Sequence, residues 1–126
     1  LLLNKNLPLK LAIDSGASKG LLDLRNSNVD EIDIDAGAST FEVDLATNAK
    51  ELKGDIDAGA STLDLKAPKN YGLKITLGGG LITNNFTSEG LAKEDKIYKS
   101  ENYDLAQNKV NLVLDMGAST INLNRY

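Results

Sequence analysis

One five-residue motif, Asp-x-Gly-Ala-Ser, occurs four times in the chain and limits the possible folds more than any other feature. A fifth, degenerate copy carries three consecutive glycines, with Thr76 at the position of the aspartate. The first three intervals between these positions are 21, 22 and 19 residues, and the last is 39, about two periods. Repeats of this length are typical of solenoids, in which each unit covers the apolar face of the next. The five copies occupy residues 14–18, 35–39, 57–61, 76–80 and 115–119.

The segments on both sides of each motif alternate between apolar and polar residues. Residues 32–36 do so before the second motif, and residues 41–45 do so after it. A period of two with one apolar face indicates half-buried strands. Two short strands cannot bury their own apolar side, so the repeats must stack. A β-solenoid of parallel rungs and a meander of antiparallel hairpins both satisfy this condition. Near-identical corners at a near-constant period favour the solenoid, so we predict an all-β solenoid of about five rungs of ~20 residues each.

Small residues form each predicted corner. Glycine can adopt a positive φ there, and alanine and serine allow successive corners to pack closely. Each aspartate carboxylate is expected to accept N–H bonds within its own turn. The alternative is a ladder of stacked carboxylates that binds Ca²⁺, although calcium β-rolls place the aspartate after the glycines. The predicted corner residues are Asp14, Gly16, Ser18, Asp35, Gly37, Ser39, Asp57, Gly59, Ser61, Gly78, Gly80, Asp115, Gly117 and Ser119.

Residues 84–109 lack the pattern of the repeats. They hold either a loop insertion or one decayed repeat. We predict that they leave the stack as a long loop, with a short strand near Ile97. Phe86, Tyr98 and Tyr103 lie in this segment. These rings are expected to pin the loop to the stack, and the alternative is that they form a contact surface for another protein.

The chain is expected to form one β-solenoid domain, residues 1–126, and to be a C-terminal fragment of a longer protein. Its first three residues, all leucine, are too few for a signal peptide and are interpreted as the remnant of a strand. They also suggest that this end of the stack lacks a cap.

The composition argues against several classes of function. The chain has no cysteine and no histidine, so it lacks zinc fingers, iron–sulfur sites and Ser-His-Asp triads. A net charge of −4 argues against binding to nucleic acid. No apolar stretch approaches the roughly 20 residues that span a bilayer, so this chain is not expected to insert into a membrane. We expect neither enzymatic activity nor a cofactor.

Two segments resemble enzyme motifs. Residues 11–18, Leu-Ala-Ile-Asp-Ser-Gly-Ala-Ser, resemble the catalytic loop of retropepsin-like aspartic proteases, which would make Asp14 catalytic. The later copies carry alanine or methionine where the protease needs a hydroxyl residue, which favours a structural corner. Residues 78–80 resemble a phosphate-binding glycine loop, but no Lys-Ser/Thr pair follows them.

The order of these elements resembles a known family. Corners, a triple-glycine rung, a polar insertion with Tyr98 and Tyr103, and a final corner resemble the toastrack, or LiaF-like C-terminal, domain of cell wall-active antibiotics response proteins. Related adhesin-type β-solenoids are similar. The resemblance covers residues 8–126, although the corner in that family often reads Gly-Ala-Gly. It implies a right-handed single-stranded β-helix without catalytic residues.

The same resemblance implies a role. The chain would be a non-enzymatic protein-interaction and regulatory module of a bacterial cell-envelope stress response. Its partner would be a membrane signalling protein or another copy of itself, and segments outside this chain would attach it to the membrane. The alternatives are a retropepsin-like aspartic protease that uses Asp14 and a surface adhesin.

Overall fold

The computed structural model describes residues 9–16, 18–25 and 27–126. The regular secondary structure within these ranges consists of twelve β-strands. Accordingly, the described ranges contain no helix with the length and hydropathy needed to cross a membrane. The strands are β1 (Leu9–Ser15), β2 (Ser18–Asp23), β3 (Val29–Ala36), β4 (Ser39–Asp44), β5 (Glu51–Ala58), β6 (Ser61–Ala67), β7 (Gly72–Gly79), β8 (Ile82–Asn84), β9 (Leu91–Glu94), β10 (Ile97–Ser100), β11 (Lys109–Met116) and β12 (Ser119–Arg125).

Ten of these strands form five rungs, each a pair of consecutive strands joined by a corner. Sheet A contains the first strand of each rung together with β9 and β10, in the order β1-β3-β5-β11-β7-β10-β9. Sheet B contains the second strand of each rung, in the order β2-β4-β6-β12-β8. Neighbouring rungs pair in parallel in both sheets. This arrangement confirms the predicted β-solenoid.

The rungs do not stack in chain order. The last rung, β11–β12, lies between β5–β6 and the degenerate rung β7–β8 in both sheets. After β6 the chain therefore skips one position in the stack, and its C-terminal strands later fill that position. The long last interval between the repeats is the path that returns the chain to this gap.

Residues 68–71, which connect β6 to β7, are hydrogen-bonded to the end of the last rung. The Arg125 guanidinium donates to the carbonyl oxygens of Lys69 and Tyr71 at 2.8 and 2.5 Å. The N–H of Lys69 donates in return to the Tyr126 carbonyl at 2.6 Å. We call β11–β12 the inserted rung. Its end is thus hydrogen-bonded to the segment that connects β6 to β7.

Every second side chain of each rung points into the space between the sheets. One interior column consists of isoleucine and leucine in register, with Ile34, Ile56 and Leu114 at its centre. All three are at most 1% exposed. Burying a side chain of this size stabilises a fold by about 1.5–3 kcal/mol. This column continues to Ile13 at one end and to Leu77 at the other, so it crosses all five rungs and the core is continuous along the stack.

Residues 84–109 leave the rungs of the stack, as the sequence predicts, but they contain two strands where the sequence predicts one. β9 and β10 form an antiparallel hairpin, and β10 pairs antiparallel with β7. The predicted strand near Ile97 therefore exists, but it belongs to a hairpin that extends sheet A. A hairpin here covers the backbone edge that β7 would otherwise expose. The strand remnant predicted at residues 1–3 lies outside the described residues.

Gly79 of the degenerate rung is the glycine least able to accept a side chain. Its φ is +107°, and a Cβ there would overlap the backbone of Met116. We expect Gly79→Ala to lower the free energy of unfolding by about 2–4 kcal/mol. Alanine would be strained at this φ, and its Cβ would overlap the backbone of Met116, which is held in the sheet. Urea denaturation followed by circular dichroism measures this loss. Gly78→Ala is the matched control, since a Cβ there comes no closer than 4.0 Å to another residue's atoms. Equal losses in the two variants would contradict this account.

Candidate functional site

The corners of successive rungs lie directly on one another. The N–H of Gly37 donates to the Gly16 carbonyl at 3.0 Å, and that of Gly59 donates to the Gly37 carbonyl at 3.3 Å. Gly117 and then Gly80 continue the column, each with its backbone against the preceding glycine. The column follows the order of the rungs in the stack and not their order in the chain.

The corner glycines of the four full motifs do not adopt a positive φ, and close approach of the backbone is tight at one of them, Gly37. In the described ranges a positive φ occurs at Gly79, Gly90 and Asp95, none of which is the glycine of a full motif. The expectation of positive φ at those corners is therefore wrong. A Cβ on Gly37 would lie 3.1 Å from the carbonyl oxygen of Gly16, so the neighbouring backbone would have to shift by a few tenths of an ångström. At Gly59, Gly80 and Gly117 the nearest atom would be 3.4–3.5 Å away, which is ordinary contact.

Serine hydroxyls, and not aspartate carboxylates, bond to the corner backbone. The Ser119 hydroxyl donates to the Gly59 carbonyl at 3.1 Å, and the hydroxyls of Ser39 and Ser61 lie 3.2 Å apart. The carboxylates of the second, third and fourth motifs are exposed and accept no hydrogen bond from any described residue. For these three copies, the expectation that each aspartate caps its own turn is wrong. The side chain of Ser18, the serine of the first motif, is not among those that the structure describes.

The corner aspartates form one column on the outer surface of sheet A. Asp14 pairs with Asp35, Asp35 with Asp57, and Asp57 with Asp115. A second column beside it contains two further aspartates, paired with each other. We call this surface the acidic face, and its exposed carboxylates are Asp14, Asp33, Asp35, Asp55, Asp57 and Asp115.

The degenerate rung continues this column with a glycine. Gly78 pairs with Asp115, and Thr76 pairs with Val113. The assignment of Thr76 to the aspartate position is therefore wrong by two residues. The acidic column ends at the inserted rung for this reason.

Asp14 occupies the same place in its rung as the aspartates of the other three copies. It lies in β1, in register with Asp35, on the outer surface of sheet A. Its resemblance to a protease loop is accounted for by the corner that all four copies form.

Like charges lie close together on the acidic face. Strands of one sheet are about 4.8 Å apart, so carboxylates in register repel one another. Desolvation raises the pKa of Asp57, and the carboxylates of Asp115 and Asp35 raise it further. Within the described part of the chain, no three His, Cys, Asp or Glu side chains are grouped as they would be to hold a metal ion.

The aromatic residues of the insertion pack inward. Phe86 and Tyr98 are 0% and 7% exposed, and their rings meet edge to face with centroids 5.1 Å apart. These two rings therefore offer no contact surface in this structure. Tyr103 is half-buried between the ammonium groups of Lys99 and Lys109, each 5.3 Å from the ring centroid.

A polar cluster on sheet B is absent from the sequence predictions. The Tyr126 hydroxyl donates to the two carboxylate oxygens of Asp44 at 2.8 and 3.0 Å, and Arg25 lies 3.5 Å from the same carboxylate. Asp44 is 8% exposed, and its partner Tyr126 is 82 residues away in the chain. A separation of this size leaves no local sequence signal.

Neutralising Asp57 tests the repulsion across the acidic face. Because its pKa is raised in the folded state, its contribution to stability falls as the pH rises through that pKa. We therefore expect Asp57→Asn to raise Tm at about pH 7 and to match the wild type when the pH falls below its ordinary pKa of 3.8. Thermal denaturation against pH measures the difference. Glu94→Gln, on exposed β9, is the control, and an unchanged Tm for Asp57→Asn at neutral pH would contradict the prediction.

Removing the Tyr126 hydroxyl tests the cluster on sheet B. We expect Tyr126→Phe to lower the free energy of unfolding by about 1–2 kcal/mol, because Asp44 loses a donor while it stays buried. Burial, and next the hydrogen bond to Asp44, raise the pKa of Tyr126 from 10.0 to about 12. The wild type should therefore lose stability as the pH rises through this window, and the variant should lose less. Equal alkaline slopes in urea denaturation would contradict this assignment.

Comparison with known proteins places this fold in a family. A family model described as the N-terminal domain of toast_rack, DUF2154, matches residues 1–66. The crystal structure of a candidate cell adhesion protein from Clostridium sporogenes matches with a TM-score of 0.83 and 24% sequence identity. The match covers 98% of this chain and 58% of that one, so this chain spans less than two thirds of its length. Among curated proteins, none matches the sequence.

The structural match shows the same fold, and the family match confirms the toastrack resemblance. The matched segment, residues 1–66, is more than half of the 126-residue chain. The chain therefore belongs to the family of the N-terminal domain of toast_rack, DUF2154.

Proposed function

We propose that the domain is a non-enzymatic protein-interaction module of a bacterial cell-envelope stress response. The acidic face is the observation that carries this proposal. Its six carboxylates are exposed on one outer surface, and backbone pairing across four rungs fixes their spacing. Family membership and the likeness to a candidate cell adhesion protein support an interaction role.

The geometry of the acidic face suits an extended basic segment of another protein. Asp33 and Asp35 lie two residues apart on one strand, which places their side chains about 7 Å apart. Alternate side chains of an extended peptide have the same spacing, so lysine or arginine residues of such a segment would match them. A rigid sheet loses little conformational entropy on binding. Complementary charge would also speed the encounter of the two proteins.

The partner in this proposal is a membrane signalling protein with a Lys/Arg-rich segment close to the membrane. The domain would be located in the cell envelope, and segments outside residues 1–126 would supply its attachment. Signalling would depend on whether the basic segment is held on the acidic face or released from it.

Surface adhesion is the second candidate function. The observation that favours it is the match to the Clostridium sporogenes protein. An adhesin must be reachable from outside the cell. Antibody labelling of intact cells separates the two candidates, because an adhesin would be labelled, whereas a module that contacts a signalling protein beneath the wall would not.

Site-specific photocrosslinking in intact cells tests the main proposal. A photoreactive amino acid replaces Asp55, in the acidic face, or Asn122, on the outer surface of sheet B, in the full-length gene product. We expect position 55 to capture a protein partner and position 122 to capture little. The double variant Asp35→Asn/Asp57→Asn should reduce capture at least about tenfold, the equivalent of 1.4 kcal/mol. Absence of capture at position 55, or equal capture at both positions, would overturn the proposal.

A further inference from the structure

The rung β1–β2 ends both sheets in the described part of the chain. Among the described residues, no strand pairs with the outer edge of β1 or of β2, so the backbone N–H and C=O groups on that edge have no partner strand there. The interior side chains are also less covered there. Leu11 and Ile13 are only partly buried, whereas their register partners Ile32 and Ile34 are each 1% exposed.

The outer surface of β1 is complementary to itself in an antiparallel pair. Lys10, Ala12 and Asp14 alternate along it, and all three are exposed. If a second β1 pairs antiparallel with Ala12 opposite Ala12, each Lys10 faces the other Asp14. Leu11 then faces Ile13 on the interior side, so the cores also meet. Lys10 lies 3.7 Å from the carboxylate of Glu31 in an exposed ion pair, which contributes little and leaves the ammonium able to bond again.

The outer surface of β2 repeats this pattern. Lys19, Leu21 and Asp23 alternate along it. Antiparallel pairing about Leu21 places each Lys19 opposite the other Asp23 and brings the two Leu21 side chains together. Leu21 is 73% exposed, which is unusual for a leucine in a strand. Asp23 already accepts a hydrogen bond from Arg25 at 2.6 Å, so the charge pair on β2 is weaker than that on β1.

One twofold axis can satisfy both strands. Ala12 lies three residues before the last residue of β1, and Leu21 lies three residues after the first residue of β2. The two central residues are therefore equally far from the turn, one in each sheet. An axis perpendicular to the sheets can pass through both, as a symmetric dimer requires.

We propose that this end of the stack binds the same end of a second copy, so that both sheets continue across a symmetric dimer. The end surface is about 23 Å long and about 20 Å wide, so the two copies together would bury about 900 Å², which predicts a weak, reversible dimer. The inference goes beyond the proposed function, because partner binding on the acidic face does not require a dimer.

Sedimentation of the 126-residue chain from about 10 μM to about 1 mM tests the dimer. We expect the mass to rise from 13.5 kDa towards twice that value. Lys10→Asp and Asp14→Lys should each abolish the rise, because each places like charges opposite one another. The double variant Lys10→Asp/Asp14→Lys should restore it, because exchanging the charges regenerates both pairs. Asp115→Lys is the control, since it makes the same charge change three rungs away and should leave the dimer intact.

A wild type that stays monomeric at every concentration overturns the proposal, as does a folded double variant that remains monomeric. Circular dichroism confirms that each variant is folded. Leu21→Arg is a second test that is safe for the fold, because the side chain is 73% exposed. It should abolish the dimer, and retention of the dimer would count against this pairing. Asp35→Asn/Asp57→Asn should still dimerise, so failure of the acidic face and failure of the dimer are distinguishable.

Discussion

Close backbone contact at the corners is the constraint on which the rest of the structure depends. A corner with side chains no larger than those of glycine, alanine and serine allows one rung to lie on the next at the spacing that parallel strand pairing requires. The contact is tightest at Gly37, where a Cβ would reach within 3.1 Å of the Gly16 carbonyl. Once the corners are in register, both strands of each rung are in register as well. Apolar columns then fill the interior, and acidic residues are left in columns outside.

The same constraint explains how a C-terminal rung can occupy a central position. The inserted corner, Gly117-Ala118, has the same residues as Gly59-Ala60 of the rung β5–β6, and Gly80 of the degenerate rung lies against Gly117 on the other side. β11–β12 therefore fits between these two rungs. The cost is topological, because strands distant in sequence must meet before the core is complete, and such contacts slow folding. The insertion also makes the last residues essential. In this structure β11 and β12 are the strands that join β7, β8 and the hairpin to the other rungs.

Part of this structure follows from the sequence, because it depends on local patterns. Alternation with a period of two gives strands, and small corners at even spacing give a solenoid. The order of the rungs does not follow, since near-identical corners fit equally well in several orders. The sequence places Thr76 at the aspartate position of the degenerate rung, where the structure has Gly78, because consecutive glycines provide no side-chain pattern to align. The burial of Phe86 and Tyr98 does not follow from local patterns either, because it depends on how the β9–β10 hairpin packs at the end of the stack.

The candidate site also has one part that the sequence predicts and one part that it does not. The column of aspartates could be predicted, because every copy of the motif carries one, whereas their exposure depends on which side of the strand the register selects. The bond between Asp44 and Tyr126 could not be predicted, since it joins different rungs across an intervening strand.

Disulfide trapping tests the central claim, the stacking order of the corners, most directly. The natural chain has no cysteine, so pairs can be introduced without background. Thr62 pairs in register with Thr120 on the inserted rung, and Thr83 lies one strand further away, on the other side of Thr120. A disulfide needs Cα atoms within about 7 Å, which adjacent strands satisfy and strands about 9.6 Å apart do not. The account predicts that Thr62→Cys/Thr120→Cys forms an intramolecular disulfide by mass spectrometry and that Thr62→Cys/Thr83→Cys does not. The reverse result would mean that the rungs stack in chain order and would contradict it.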